Sequence, residues 1–199
     1  MGDADGATVG ARDASGGGLP AHIREELREA AGRLPPREAA LVHDAALAQE
    51  DRLSLEAGWA LLREDDARHI TVSGLLVSPD LRRTVLVSHR ASGQLRQPGG
   101  HVDAADGGLR AALLREIAEE CGAAAAAAAS ASAFPLAARV FRVGTERCRA
   151  HLDLLHGAVL PADTLLTGED AAEWVRPDRL PEAAAPDLHE GLHMLLARF

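Results

Sequence analysis

The 199-residue chain carries 41 alanines, 21 arginines and no lysine, and its 30 acidic side chains leave a net charge of −9. That balance excludes a broad nucleic-acid footprint, which needs clustered cations, but it allows polyphosphate chemistry in which a divalent metal supplies the positive charge. Two cysteines, Cys121 and Cys148, are too few and too far apart to suggest a disulfide framework or a zinc site, and no run approaches the ~20 apolar residues that cross a bilayer.

Residues 1–19 are rich in Gly, Ala and Asp without periodicity, and are expected to form a disordered tail. They contain no apolar core of a signal peptide, so the expected location is cytoplasmic. Residues 20–66 read as a helical segment. Ile23, Leu27, Ala30 and Leu34 form one stripe at helical spacing, and Pro35-Pro36 ends that helix. A second helix is expected over roughly 37–49, continuing through Leu55, Trp59 and Leu62. This segment would pack on the following domain, shape its pocket or form a homodimer interface.

From His69 the period changes to two. Ile70, Val72, Gly74 and Leu76 alternate with Thr71, Ser73, Leu75 and Val77, and a turn at Ser78-Pro79-Asp80 leads to the β-branched run Thr84–Ser88. The pattern predicts a hairpin. An extended piece over 97–102 leads into a helix that is expected to begin near Asp106 as N-cap and to stop at Gly122. The alanine-rich stretch 123–133 shows no apolar face and is expected to be a loop or frayed turn. Two strands follow over 134–143 and 148–160, then a short one at Glu173-Trp174-Val175, then a helix with Leu188, Leu192 and Leu195 on one stripe. The order of elements predicts an α/β fold, a mixed sheet covered by helices, with an N-terminal helical segment.

The chemistry-bearing stretch is Gly99-Gly100-His101-Val102-Asp103, Asp106 and Arg115-Glu116-Ile117-Ala118-Glu119-Glu120-Cys121-Gly122. On a helix Glu116, Glu119 and Glu120 share one face. Three adjacent carboxylates repel one another unless a cation intervenes, and Mg²⁺ is the oxygen-seeking ion most used with phosphates. Arg115 can offset part of the charge and hold a carboxylate in position, while the paired glycines let backbone approach an ion or phosphate closely. Taken alone, a Glu-rich helix face is more often simply solvated.

The context changes that balance. Gly100-x5-Asp106-x8-Arg115-Glu116-Ile117-x-Glu119-Glu120-x-Gly122 resembles the box of the Nudix hydrolases, G-x5-E-x7-R-E-U-x-E-E-x-G-U, where U is bulky and aliphatic. Asp106 replaces the usual Glu, the spacer to Arg115 is one residue longer, and Ala123 fills the last aliphatic slot. The resemblance also takes in His69–Gly74, Gln97–Val102 and 173–181, and covers roughly 67–185 of an expected 67–199 domain. It implies an α/β/α sandwich whose members hydrolyse a nucleoside diphosphate linked to a moiety X. It further implies Mg²⁺, with Mn²⁺ as a substitute, held by Glu119, Glu120 and the carbonyl of Gly99. Glu116 is implied as a further ligand or the residue that activates water, and Arg115 as the residue that orients the carboxylates.

Other residues have plain readings beside functional ones. Glu169 is the best-placed acid outside the box, with Asp170 and Glu173 behind it, though loop acids are commonly just solvated. Gly100, His101, Arg96 and Arg90 are candidates for substrate contact, against a structural role for the first two and ordinary exposure for the arginines. His151 and Asp153 share a strand face, where hydrogen bonding within the fold is the plainer reading. Cys121 reads as a structural thiol, and Trp59 and Trp174 as packing residues. The expected activity is hydrolysis of a pyrophosphate bond in a nucleotide-like small molecule. A nucleotide-binding or regulatory module without turnover is the alternative, and the intact carboxylate helix speaks against it.

Overall fold

A computed structural model describes residues 19–47, 68–89, 92–142 and 149–199. The expected tail, the helical continuation past residue 47 with Trp59, and Arg90 and Cys148 lie outside these residues.

Two helices open the described chain, α1 (Ala21–Ala31) and α2 (Pro36–Leu47). Seven strands follow: β1 (Arg68–Val77), β2 (Thr84–His89), β3 (Gln94–Arg96), β4 (Gly99–His101), β5 (Phe134–Arg142), β6 (Ala150–Val159) and β7 (Ala172–Val175). Helices α3 (Leu109–Cys121) and α4 (Ala123–Ser132) lie between β4 and β5, and α5 (Leu188–Leu196) closes the fold. None of the described helices is long and apolar enough to cross a membrane.

Strand β1 organises the sheet. It runs parallel to β6 along its whole length, from Arg68 opposite Ala150 to Val77 opposite Val159. Its other edge is divided. Thr71, Val72 and Ser73 pair with β4, and only Val77, next to the turn, pairs with Thr84 of β2. The expected hairpin is therefore confined to its tip, and β2 goes on to pair with β3 and β7. β5 completes the sheet antiparallel to β6.

Alternation along β1 assigns the two faces. Ile70, Val72 and Leu76 belong to a core that includes Leu113 and Ile117 of α3, Ala125 and Ala129 of α4, and Ile23 and Leu27 of α1. Leu75 and Val77 belong to a second core with Leu188, Leu192 and Leu195 of α5. The result is the expected mixed sheet between helical layers. Toward its N-terminus the α5-side face turns polar, with His69, Thr71 and Ser73 on β1 and His151 and Asp153 on β6. Asp153 accepts from Thr71 Oγ1 at 3.0 Å and Ser73 Oγ at 2.6 Å, so for this residue the structural reading describes what it does.

Two expectations are corrected. The alanine stretch is a helix, because Ala is the strongest helix former and its small side chains at 125 and 129 are fully buried against the sheet layer. Ser132 closes it, donating to the Val159 carbonyl and accepting from the Val159 N–H. Helix α3 begins at Leu109, not near Asp106. Asp103 and Asp106 instead close a tight turn, with the Asp103 N–H donating to Asp106 Oδ2 at 2.8 Å and the Ala105 N–H to Asp103 Oδ1 at 2.9 Å. The cap of α3 comes from 80 residues earlier in the chain, roughly: the Leu109 and Arg110 N–H groups donate to Glu26 Oε2 of α1 at 2.6 and 3.3 Å.

Candidate active site

Strand β4 and helix α3 are brought together by the paired glycines. Gly99 has φ of +153°, and a Cβ there would enter the Val72 and Ser73 backbone. A Cβ on Gly100 would lie 2.5–2.7 Å from the Glu116 carboxyl group. Bare backbone at both positions lets the carboxylates of α3 reach the strand.

Arg115 is the hub of the site. Its Nε donates to Asp106 Oδ1 at 2.9 Å and its Nη2 to Asp106 Oδ2 at 3.0 Å and to the His101 carbonyl at 2.9 Å. Its Nη1 donates to Glu116 Oε1 at 2.8 Å and, more weakly, to Glu119 Oε2 at 3.4 Å. The guanidinium thus fixes the turn, the end of β4 and the carboxylate face in one contact set, which a lysine could not do. Its hydrogen bonds hold the Asp106 carboxyl below the usual carboxylate range, and Asp106 serves here as the guanidinium's partner.

The glutamates are displaced in the other direction. Burial raises Glu116 above its ordinary value, opposed by Arg115. Glu120 is pushed up to about 7, chiefly by burial and further by the charges of Glu116, Asp170 and Glu119, against the lowering effect of the Gly99 N–H that donates to Oε2 at 2.8 Å. Hard oxygen donors made costly as anions by burial and mutual repulsion are the donor set that a divalent cation stabilises. The residues present therefore fit Mg²⁺.

The loop after β6 closes the end of α3. The Thr167 N–H donates to the Cys121 carbonyl at 3.0 Å and the Glu169 N–H to the Glu119 carbonyl at 2.7 Å. A Cβ on Gly168 would collide with the Glu120–Cys121 backbone. Glu169 thus meets the helix through its backbone with an exposed side chain, whereas Asp170 is the loop acid whose charge acts on Glu120. Cys121 is buried, with its thiol pushed up to about 12 by burial, as suits a packing residue.

A pocket of about 180 Å³ opens beside this constellation. It is lined by Gly99, Gly100, His101, Arg96, Glu120, His151 and Asp153 among the residues singled out from sequence, and also by Gln97, His89, Phe141 and Asp187. Among the described residues, Arg96 Nε and Gln97 Oε1 are buried without a hydrogen-bond partner. A cavity of about 740 Å³ lies at the other end of β1, between the β1–β2 turn and α5, and contains no box residue. The smaller pocket is the one joined to the carboxylates. Asp187, Phe141 and His89 carry no motif and were not legible as pocket residues, since α5, β5 and β2 meet here only through the fold.

A family model described as NUDIX domain matches residues 67–196. The chain belongs to the Nudix family. Solved structures share the fold at low identity. The dihydroneopterin triphosphate pyrophosphohydrolase of E. coli superposes with a TM-score of 0.56 at 12% identity, over 67% of this chain and 100% of that one. The NUDIX domain of Shewanella oneidensis NrtR, complexed with ADP ribose, gives 0.52 at 19% identity, over 67% and 89%. Comparison with curated proteins returns no match.

Proposed function

We propose that this Nudix domain is a Mg²⁺-dependent pyrophosphohydrolase acting on a nucleoside diphosphate linked to a further moiety. The observation that carries the reading is the Arg115 contact set, which holds Glu116 and Glu119 beside a Glu120 bonded to the Gly99 N–H. Glu119, Glu120 and the Gly99 carbonyl would hold the ion. When bound, Mg²⁺ supplies charge against the non-bridging phosphate oxygens and acidifies water. Glu116 is assigned as the proton acceptor: burial raises its proton affinity and Arg115 fixes its direction. Arg96, which lines the pocket, is the side-chain cation assigned to substrate phosphate. His101 and Gly100 form the pocket wall next to it.

The test is a hydrolysis screen with enzyme-free controls, read as inorganic phosphate freed from the products by added phosphomonoesterase and pyrophosphatase, across nucleoside triphosphates, sugar nucleotides, dinucleotides, ADP-ribose and dihydroneopterin triphosphate. The last two belong because structures with this fold bind or act on them. Glu120→Gln is expected to lower turnover by roughly 10²–10³-fold and to weaken Mg²⁺ binding, whereas Glu116→Gln lowers turnover with Mg²⁺ binding kept. Wild-type protein at background on the whole panel, in both Mg²⁺ and Mn²⁺, would sink the proposal. A ligand bound tightly and recovered unchanged would favour a binding module instead.

A further inference from the structure

Three imidazoles meet on the α5-side face of the sheet, at the pocket described above. Parallel pairing sets His151 of β6 opposite His69 of β1, and antiparallel pairing sets His101 of β4 opposite Thr71, one alternation further along the same face of β1. The side chains lean together across β1. His101 Nε2 and His151 Nε2 are 3.1 Å apart, and the rings of His69 and His101 stack edge to face at 5.2 Å between centroids. One ligand nitrogen from each of the three lies within 4.8 Å of the other two. Among the described residues no other trio of His, Cys, Asp or Glu side chains converges so closely.

The geometry is close to what a tetrahedral ion requires. Zn–N bonds of about 2.0–2.1 Å place neighbouring ligand nitrogens about 3.3 Å apart. The His101–His151 pair is already there, and side-chain rotation of His69 has to close the remaining gap. Imidazole nitrogen favours borderline transition ions over Mg²⁺, which prefers oxygen. His69 is 1% exposed, at the floor of the cluster, while His101 and His151 line the pocket that also contains Glu120. An ion on the three nitrogens would therefore keep one coordination position toward the pocket.

We propose that His69, His101 and His151 form a transition-metal site for Zn²⁺, separate from the carboxylate site and with its fourth position open to the same pocket. That position would take water or an oxygen or nitrogen donor of a bound ligand. The site stands whether or not the domain hydrolyses a diphosphate, so its test reads metal binding rather than turnover.

Tag-free full-length protein is stripped with chelator, saturated with Mg²⁺ and titrated with Zn²⁺ by calorimetry, and Co²⁺ is used as the visible-absorption probe. The expected result is one Zn²⁺ per chain in the presence of Mg²⁺, and an intense tetrahedral-type Co²⁺ spectrum. His151→Ala, and His101→Ala as a second variant, should each weaken Zn²⁺ on the order of 100-fold or more, with thermal unfolding in chelator confirming that they fold. Glu120→Gln should keep the Zn²⁺. Absence of Zn²⁺ binding by the wild type overturns the proposal, as does Zn²⁺ that survives His151→Ala but is lost in Glu120→Gln. If neither histidine variant folds, a weak octahedral-type Co²⁺ spectrum of the wild type overturns it equally.

Discussion

Glu120 carries two opposing demands. It accepts from the Gly99 N–H, which favours the anion, and it is buried among Glu116, Glu119 and Asp170, which disfavours it; the second effect wins and its pKa rises to about 7. The consequence for stability has a definite sign. Without metal, the unfolded chain releases this proton near the ordinary value of 4.5 while the folded chain keeps it up to about 7. The unfolded state then holds fewer protons across that window, so stability falls as pH rises through it. Glu120→Gln removes the titration and keeps an acceptor for Gly99. In chelator, the melting temperature of the variant relative to wild type is expected to climb between about pH 4.5 and pH 7 and to level off above. A difference that stays constant across that range would show that burial does not hold the proton on Glu120. Saturating Mg²⁺ should diminish the pH effect, since binding to the native state alone favours the anion.

Among the elements, α3 shows most clearly what its own residues determine and what they do not. The glutamate spacing and the stop at Gly122 are local properties readable from the chain, whereas the meeting of α3 with Gly99-Gly100 is a tertiary contact that only the family resemblance implies. Nor is the start of the helix local. Asp106 has the chemistry of an N-cap but spends both carboxylate oxygens on Arg115, and the cap is Glu26 of α1, which no local pattern connects to Leu109. Gly108, with φ of +146°, leaves the space that the Glu26 carboxyl group occupies. The alanine helix carries no local apolar signal for a related reason: its burial depends on how closely Ala125 and Ala129 fit, not on side-chain size. Likewise His151 shares a face with His69 and His101 only because β6 runs parallel to β1 in one register. The Glu26 cap makes the N-terminal segment part of the α3 structure. Glu26→Ala is expected to cost about 1 kcal/mol, read as a shift in the urea midpoint without a change in slope. It should also lower activity modestly, because the first turn of α3 precedes Arg115 by less than two turns. Unchanged stability would mean that water replaces the carboxylate at no cost.

At the scale of the whole molecule, the acid excess has to be accommodated where acids are buried, and Arg139 of β5 does this on the α5 side of the sheet. Its Nη2 pairs with Asp153 of β6 at 3.2 Å and its Nη1 with Asp187 at the start of α5, also at 3.2 Å. Asp153 in turn receives the hydroxyls of Thr71 and Ser73 on β1. Two edge-side strands, the central strand and the covering helix are therefore joined through one guanidinium, at the wall of the pocket. Both Arg139 and Asp153 are nearly buried, with side-chain exposures of 12% and 6%. Removing the cation alone strands a carboxylate in a dry setting, and Arg139→Met is expected to cost about 3–5 kcal/mol. The double variant Arg139→Met with Asp153→Asn removes the stranded charge, keeps an oxygen acceptor for one hydroxyl and offers an amide N–H that the other hydroxyl can accept, so it should recover part of that loss. Urea unfolding of the wild type, both single variants and the double variant measures the coupling directly. A double variant no more stable than Arg139→Met would show that the guanidinium acts through packing, on the ring of Phe141 4.8 Å beneath it, and that the charge of Asp153 is borne by its hydroxyl partners alone.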